Sequence, residues 1–247
     1  MRKEGRQLKL EELLTKPLPK IPPEINWAIE HEKVTDTAFE DKNNILFNSD
    51  LQNEVGYRKM SDGTYLVCMV CPMPEITTQM IDWWFWWHPK NSLRYKVWFP
   101  GEHIGISYNK KNQAYFQRGT LPKFEANTHY PIERIGKAVL PLRIDFVSEK
   151  EFGFSEDIME ENGIERIVCG HVGAFNNLVK HTQMAHIFKK TDDGLFMISR
   201  FWLGKTMNPI LRKIIINDNM AKSMAEHCCI EYRNLKEILP ILYKEFA

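Results

Sequence analysis

The sequence predicts an α+β fold in which a run of antiparallel strands precedes a long final helix. Two hairpins are indicated, an early one around an Asp-Gly turn and a later one in HTQMAHIFKK-TDDG-LFMISRFWL. A helical run without internal glycine or proline, DNMAKSMAEHCCIEYRNLKEIL, completes the pattern. A curved sheet that grips this last helix would leave a cavity between them, which is the usual place for a ligand.

The N-terminal residues predict an extension of the main domain. The segment LKLEELL is typical of a short helix, and the prolines of KPLPKIPPE favour an extended arm over the surface. We expect residues 1–54 to form this arm and to pack on a main domain of residues 55–247. That domain begins with the early hairpin, VGYRKMSDGTYLVCMVCPM, at residues 55–73.

An aromatic helix is predicted after the first hairpin. In EITTQMIDWWFWWHP, Met80, Trp83, Trp84 and Trp87 recur at helical spacing, and Pro89 limits the helix. Because tryptophan buries a large area, we expect the WWFWW run to form core and cavity wall. The next segment, NSLRYKVWFPGEHIG, is rich in turn formers and aromatic residues, so we interpret it as irregular.

Strand patterns dominate from there to the final helix. The segments THYPIERIG, VLPLRIDFV and IERIVCGHVGAF are strand-like and precede the second hairpin. Asp218 is the predicted cap of the final helix, and Pro240 is its predicted limit.

The composition limits which partners and which cellular compartment are expected. The chain of 247 residues carries 33 Lys and Arg against 32 Asp and Glu, a balance that argues against nucleic acid as a partner. No apolar run approaches the roughly 20 residues of a membrane span. Five cysteines without a framework spacing predict reduced thiols and a cytoplasmic protein. Cys68 and Cys71 form a CxxC inside a predicted strand, which we interpret as core packing.

The stretch HCCIE in the final helix places two polar side chains on an apolar stripe. His227 and Glu231 lie on the same face as four apolar residues, Met220, Met224, Leu235 and Ile238. An unpaired buried polar group costs about 1–3 kcal/mol, so the two need partners. They could hydrogen-bond to each other, or they could hold a metal, since residues four apart on a helix point the same way.

Further metal ligands must come from elsewhere in the chain. His103 follows an aromatic-rich segment, a suitable base for an exposed functional group. In the strand HYPIERIG, alternation puts residues 129, 131 and 133 on one face. The residue types alone leave His129, Glu133 and Glu125 open as candidates.

Five segments carry a family resemblance. In order along the chain they are WWFWWHP, RYKVWFPGEH, EFGF, SRFWLG and HCCIEYRNLKEILPILY. From about Met80 to the C-terminus the sequence resembles the 2,4-diacetylphloroglucinol hydrolase and phloretin hydrolase family. The resemblance implies a helix-grip (Bet v 1-like) fold, an antiparallel sheet wrapped on a long C-terminal helix. It also implies a Zn²⁺-dependent enzyme that hydrolyses the C–C bond between an acyl group and a polyphenol ring.

The resemblance also implies roles for individual residues. The family's metal ligands, two His and two Glu, fall on His103, Glu133, His227 and Glu231. A tyrosine that contacts a ring hydroxyl falls on Tyr95, and a further pocket histidine falls on His186. These last two are candidates for orienting hydroxyls or relaying the proton that the ring carbon must gain. A family asparagine falls on Ile106, a departure that makes another β-diketone-like substrate a further possibility.

A different class of function stays open at this stage. A helix-grip cavity could carry an apolar or aromatic ligand without chemistry, and the two His and two Glu would then not converge. As partners we expect a small acylated polyphenol, no nucleic acid and no membrane, and the aromatic surplus makes a homodimer an expectation to test.

Overall fold

The computed structural model describes residues 2–32, 34–118, 126–174 and 179–247. Its centre is one antiparallel sheet of eight strands in the order β1-β2-β8-β7-β6-β5-β4-β3. The strands are β1 Gly56–Lys59, β2 Tyr65–Pro74, β3 His103–Tyr108, β4 Thr128–Ile135, β5 Ala138–Val147, β6 Ile164–Ala174, β7 Val179–Lys190 and β8 Gly194–Leu203. Both predicted hairpins are confirmed, since β1 pairs with β2 and β7 pairs with β8.

Helices precede, interrupt and follow this sheet. They are α1 Arg2–Thr15, α2 Pro23–His31, α3 Asn44–Phe47, α4 Ser49–Gln52, α5 Thr78–Trp87, α6 Ser92–Lys96, α7 Gln113–Gln117, α8 Glu149–Phe152, α9 Glu156–Glu161, α10 Pro209–Ile215 and α11 Asp218–Phe246. The long α11 packs against the sheet through residues such as Ala221, Ala225 and Leu235. The predicted α+β class, with an antiparallel sheet wrapped on a C-terminal helix, is confirmed.

Alternation along the strands separates two cores. In β8, Met197 and Phe201 belong to the core that contains α11, whereas Ile198 and Trp202 belong to a second core. Successive strand residues point to opposite faces, so each face of the sheet has its own apolar layer. In β7 the same alternation turns His186 toward α11, because Ala185 and Ile187 lie in the second core.

The N-terminal residues contribute to both layers. Leu10 and Leu13 of α1 join the core around α11, and Lys16 forms an ion pair with Glu237 of that helix. On the other face of the sheet, residues 34–51 supply apolar cover. The division into a 1–54 arm and a 55–247 domain stays a prediction.

The aromatic helix is confirmed, and the segment after it corrects our prediction. α5 ends at Trp87, and Trp83 and Trp84 are buried. The segment NSLRYKVWFPGEHIG is not irregular, because it contains α6 and the start of β3. Asn91 caps α6, and Ser92 bonds to the backbone of Ile106 in β3. A helix of one turn and a strand held by such contacts leave no periodic pattern in the sequence.

Both predicted ends of the final helix need correction. The cap is Asn217, whose side chain accepts a hydrogen bond from the Met220 amide, and α11 begins at Asp218. The helix continues through Pro240 to Phe246. Leu239 and Leu242 are fully buried on either side of the proline, so their packing offsets the lost backbone hydrogen bond.

The CxxC motif has the structural role predicted from the sequence. Cys68 and Cys71 are free and buried, and they lie three positions apart on β2. They therefore belong to different cores on opposite faces of the sheet. Burial raises the pKa of Cys68 to about 12, so the thiol stays protonated. Within the described chain, no helix is long and apolar enough to cross a bilayer.

We expect Trp202→Phe to lower the free energy of unfolding by about 1–3 kcal/mol. The Trp202 indole donates a hydrogen bond to the buried Thr37 carbonyl at 3.0 Å, and phenylalanine leaves that carbonyl unpaired. Urea denaturation measures the change. Trp27→Phe, at a side chain that is 56 % exposed, is the control and should stay within about 0.5 kcal/mol of wild type. Equal midpoints for the two variants would contradict this assignment.

Candidate metal centre

Three potential ligands from distant parts of the chain meet inside the fold. His103 is the first residue of β3, and His227 and Glu231 lie one helical turn apart on α11. One ligand atom from each lies within 4.8 Å of the other two, and all three residues are buried. The sequence predicted that these three residues share one site, and the structure brings them together.

The distances fit a shared cation better than direct hydrogen bonds. His103 Nε2 lies 3.7 Å from one Glu231 oxygen, and His227 Nε2 lies 3.8 Å from the other. Both separations exceed the roughly 2.7–3.2 Å of a hydrogen bond. Ligands about 2.0–2.1 Å from a tetrahedral ion are separated by roughly 3.3–3.4 Å, a few tenths of an ångström shorter than observed. The alternative in which His227 and Glu231 satisfy each other is therefore not supported.

Each of the two imidazoles has one buried nitrogen without a hydrogen-bond partner among the described residues. These atoms are Nε2 of His103 and Nε2 of His227. Burial lowers the pKa of His227 to about 4 and that of His103 well below its usual range, so both rings are neutral. Neutral imidazole is the form that binds metal.

Neighbouring groups fix the orientation of His103. Its Nδ1 donates a hydrogen bond to the Tyr95 carbonyl at 3.2 Å, which leaves the lone pair on Nε2. The Tyr95 and His103 rings stack with centroids 4.0 Å apart and an interplanar angle of 4°. α6, which carries Tyr95, therefore presents His103 to the centre.

Two side chains attach α11 to the segment between α6 and β3. Asn234 donates to the carbonyls of Val97 and Trp98, at 3.1 and 2.7 Å. The Trp98 indole in turn donates to the Glu231 carbonyl at 3.2 Å. These bonds hold the helix that carries His227 and Glu231 against the segment that leads to His103.

Glu133 lies near this centre but outside the group of three. It sits opposite His103 in the β3–β4 register, and the Tyr95 hydroxyl donates a hydrogen bond to its carboxylate. Burial raises the pKa of Glu133 to about 7. Burial and the neighbouring Glu133 also raise the pKa of Glu231 well above its usual range. Two carboxyls in this setting favour a cation between them, and the ligand role of Glu133 stays a prediction.

A largely apolar cavity opens onto the centre. Glu133, His227, Glu231, Tyr95 and His186 all line it. So does Ile106, which makes this position apolar where the resemblance implies asparagine.

A chain of polar contacts holds His186 at the wall of the cavity. Its Nδ1 lies 2.9 Å from Ser199 Oγ, which lies 2.9 Å from the hydroxyl of Tyr232. Burial lowers the pKa of His186 to about 3, so the ring is neutral. No sequence pattern indicated a role for Ser199 or Tyr232. The tyrosine directly follows Glu231 in HCCIEY, and the serine pairs with His186 across β7 and β8.

Two more histidines line the same cavity. They are His88, for which the sequence indicated no role in the cavity, and His129, which it left open as a ligand. His129 is not part of the group of three, and Glu125 lies outside the described residues. Alternation along β4 was the available signal, because His129, Pro131 and Glu133 all face the cavity.

The antiparallel sheet wrapped on α11 makes this a helix-grip protein, and it carries a buried His/Glu centre at the cavity wall. Residues 37–244 match the family model described as the DAPG hydrolase PhiG domain. The chain belongs to this family, as the resemblance in its motifs predicted.

Named relatives of the chain are hydrolases. Phloretin hydrolase of Eubacterium ramulus is 31% identical over 220 residues, which cover 84% of this chain and 78% of the relative. A 2,4-diacetylphloroglucinol hydrolase of Pseudomonas protegens is 28% identical over 233 residues, covering 85% of this chain and 74% of the relative.

Solved structures with a similar outline are more distant. Ara h 8.0201 aligns with a TM-score of 0.41 and 6% identity, covering 75% of this chain and 99% of that protein. An AHSA1-like protein from Aeromonas hydrophila aligns with a TM-score of 0.35 and 11% identity, covering 70% and 92%.

Proposed function

We propose that the protein is a zinc-dependent hydrolase that cleaves the C–C bond between an acyl group and a phloroglucinol-type ring. The observation that carries the proposal is the convergence of His103, His227 and Glu231 with two unpaired buried nitrogens. The family and its named hydrolases support the reaction class.

The donor set suits zinc, which takes imidazole and carboxylate ligands. His103, His227 and Glu231 would hold the ion, with Glu133 as the proposed fourth ligand. When bound, zinc polarises a carbonyl and lowers the pKa of water toward about 7.

The overall reaction is a retro-Claisen cleavage. The oxygen of water adds to the acyl carbonyl carbon, and the bond from that carbon to the ring breaks. The ring leaves with the electron pair as an enolate, and its carbon then gains a proton. The products are a carboxylic acid and the parent polyphenol, so no oxidant or reductant is needed.

The chain's own residues would position the substrate and move the proton. Tyr95 orients the Glu133 carboxylate through its hydroxyl, and its ring fixes His103. His186, held by Ser199, places a neutral imidazole at the cavity wall, where it would relay the proton to the ring carbon. The largely apolar walls would pack around the ring and acyl arm of the substrate.

Metal content and turnover of two substrates test this function. We expect purified protein to contain about one zinc per chain and to release a carboxylic acid from phloretin, 2,4-diacetylphloroglucinol or both. Glu231→Gln should lose most of this activity. A metal-free protein that binds these phenols unchanged after His227→Ala would instead favour a non-catalytic carrier.

A further inference from the structure

A second polar group faces the cavity away from the metal centre. His129 is 2% exposed, lines the cavity, and its Nε2 has no hydrogen-bond partner among the described residues. Leaving such a group unpaired costs free energy that a bound ligand could recover. The mechanism above does not use this nitrogen.

Strand geometry sets the distance of His129 from the centre. His129 and Glu133 lie on the same face of β4, four residues apart. At about 3.3 Å per residue, their backbone positions are separated by roughly 13 Å. Pro131 lies between them on the same face, so a substrate group that extends away from the reacting carbonyl is what would reach His129.

Aromatic rings surround the His129 imidazole. The ring of Phe146 lies 4.7 Å away between centroids, that of Phe116 lies 5.8 Å away, and that of His88 lies 5.6 Å away. Such a setting favours an aromatic ring in offset or edge contact.

The neighbouring His88 adds a second nitrogen, which can accept a hydrogen bond. Its Nδ1 donates to the Trp84 carbonyl at 2.7 Å, so Nε2 of the neutral ring is a hydrogen-bond acceptor. A hydroxyl both donates and accepts, so it satisfies Nε2 of His129 in either tautomer. The group that this end of the cavity fits is a phenol.

We propose that His129 is a specificity-determining residue that binds the hydroxyl of an aryl group at the far end of the substrate's acyl arm. The inference rests on the proposed function and names its substrate class, a ring acylated with a hydroxyaryl-alkanoyl arm such as that of phloretin. The acetyl groups of 2,4-diacetylphloroglucinol carry no hydroxyl that could pair with His129.

A pair of substrates that differ by one hydroxyl tests this role. Wild type should cleave phloretin about tenfold more efficiently, in kcat/KM, than the analogue lacking the hydroxyl on the arm. His129→Phe should abolish this preference. His129→Gln, which keeps a polar side chain, should restore part of it. His181→Asn, at a buried histidine away from the cavity wall, should keep the full preference.

Equal efficiency of wild type on both substrates, or an unchanged preference in His129→Phe, would overturn the inference. Affinities for phloretin and its analogue, measured by calorimetry, distinguish failure of the role of His129 from failure of the proposed function. If no protein turned over either compound but His129→Phe lost a tenfold binding preference for phloretin, His129 would keep its role and the hydrolase would be rejected. Equal affinities of wild type for the two would overturn the role of His129.

Discussion

Replacing His227 with alanine is expected to remove the bound zinc and to lower kcat/KM by about 10³-fold or more. The imidazole supplies one of three converging donor atoms, and its loss leaves a buried carboxyl without the cation that offsets its burial. A metal contributes several kcal/mol to stabilising the transition state, and about 4 kcal/mol corresponds to 10³-fold in rate. Zinc content by atomic emission and kcat/KM on phloretin measure both effects.

Glu226→Gln is the matched control for His227→Ala. Glu226 lies beside His227 on α11, and its contact with Lys222 is a partly exposed ion pair at 3.9 Å. Ion pairs near the surface contribute little to stability, so this variant should keep its zinc content and its kcat/KM. A His227→Ala protein with full zinc content and wild-type turnover would refute the proposed centre.

Tyr95→Phe is expected to lower activity or zinc affinity by about 10- to 100-fold while the fold is preserved. The change removes the hydrogen bond from the Tyr95 hydroxyl to Glu133 and keeps the ring stacked on His103. Losses of this size are typical when a partner of a metal-binding group is removed. Steady-state kinetics and competition with a chelator give the two quantities.

Tyr130→Phe provides the comparison on a neighbouring tyrosine. Tyr130 lies on β4 between two cavity-facing residues, so its side chain points to the other face, where its hydroxyl accepts a hydrogen bond from Asn109. This variant should behave as wild type in both measurements. If Tyr95→Phe had the same activity and zinc affinity as Tyr130→Phe, the Tyr95 hydroxyl would have no part in the centre.

Periodic patterns predicted the parts of the fold that are long and regular. The hairpins follow from alternation around their turns, and Gly63 at φ +82° occupies the left-handed conformation that the first turn uses. α5 and α11 follow from helical spacing. α6 was missed because its stability comes from the Asn91 cap and the contacts of Ser92 with β3, which are tertiary features.

The site was predictable only where its residues share one element. His227 and Glu231 are four apart on one helix, so their common face follows from helix geometry. His103 and Glu133 meet through the register of two strands that are separated by a long connection. The residue types alone could not choose among Glu133, His129 and Glu125 as a further metal ligand. The family resemblance selected Glu133. The Nε2 of His129 lacks a partner because the rings of His88, Phe116 and Phe146 pack around it. These residues are far apart in the sequence, so no sequence pattern indicates this packing.

The most direct measurement is an anomalous difference map at the zinc absorption edge, from crystals of protein purified without chelators. We expect one strong peak within bonding distance of Nε2 of His103, Nε2 of His227 and the carboxylate of Glu231. A zinc peak at another place in the chain, or Glu231 turned away from both imidazoles in zinc-loaded crystals, would contradict this expectation.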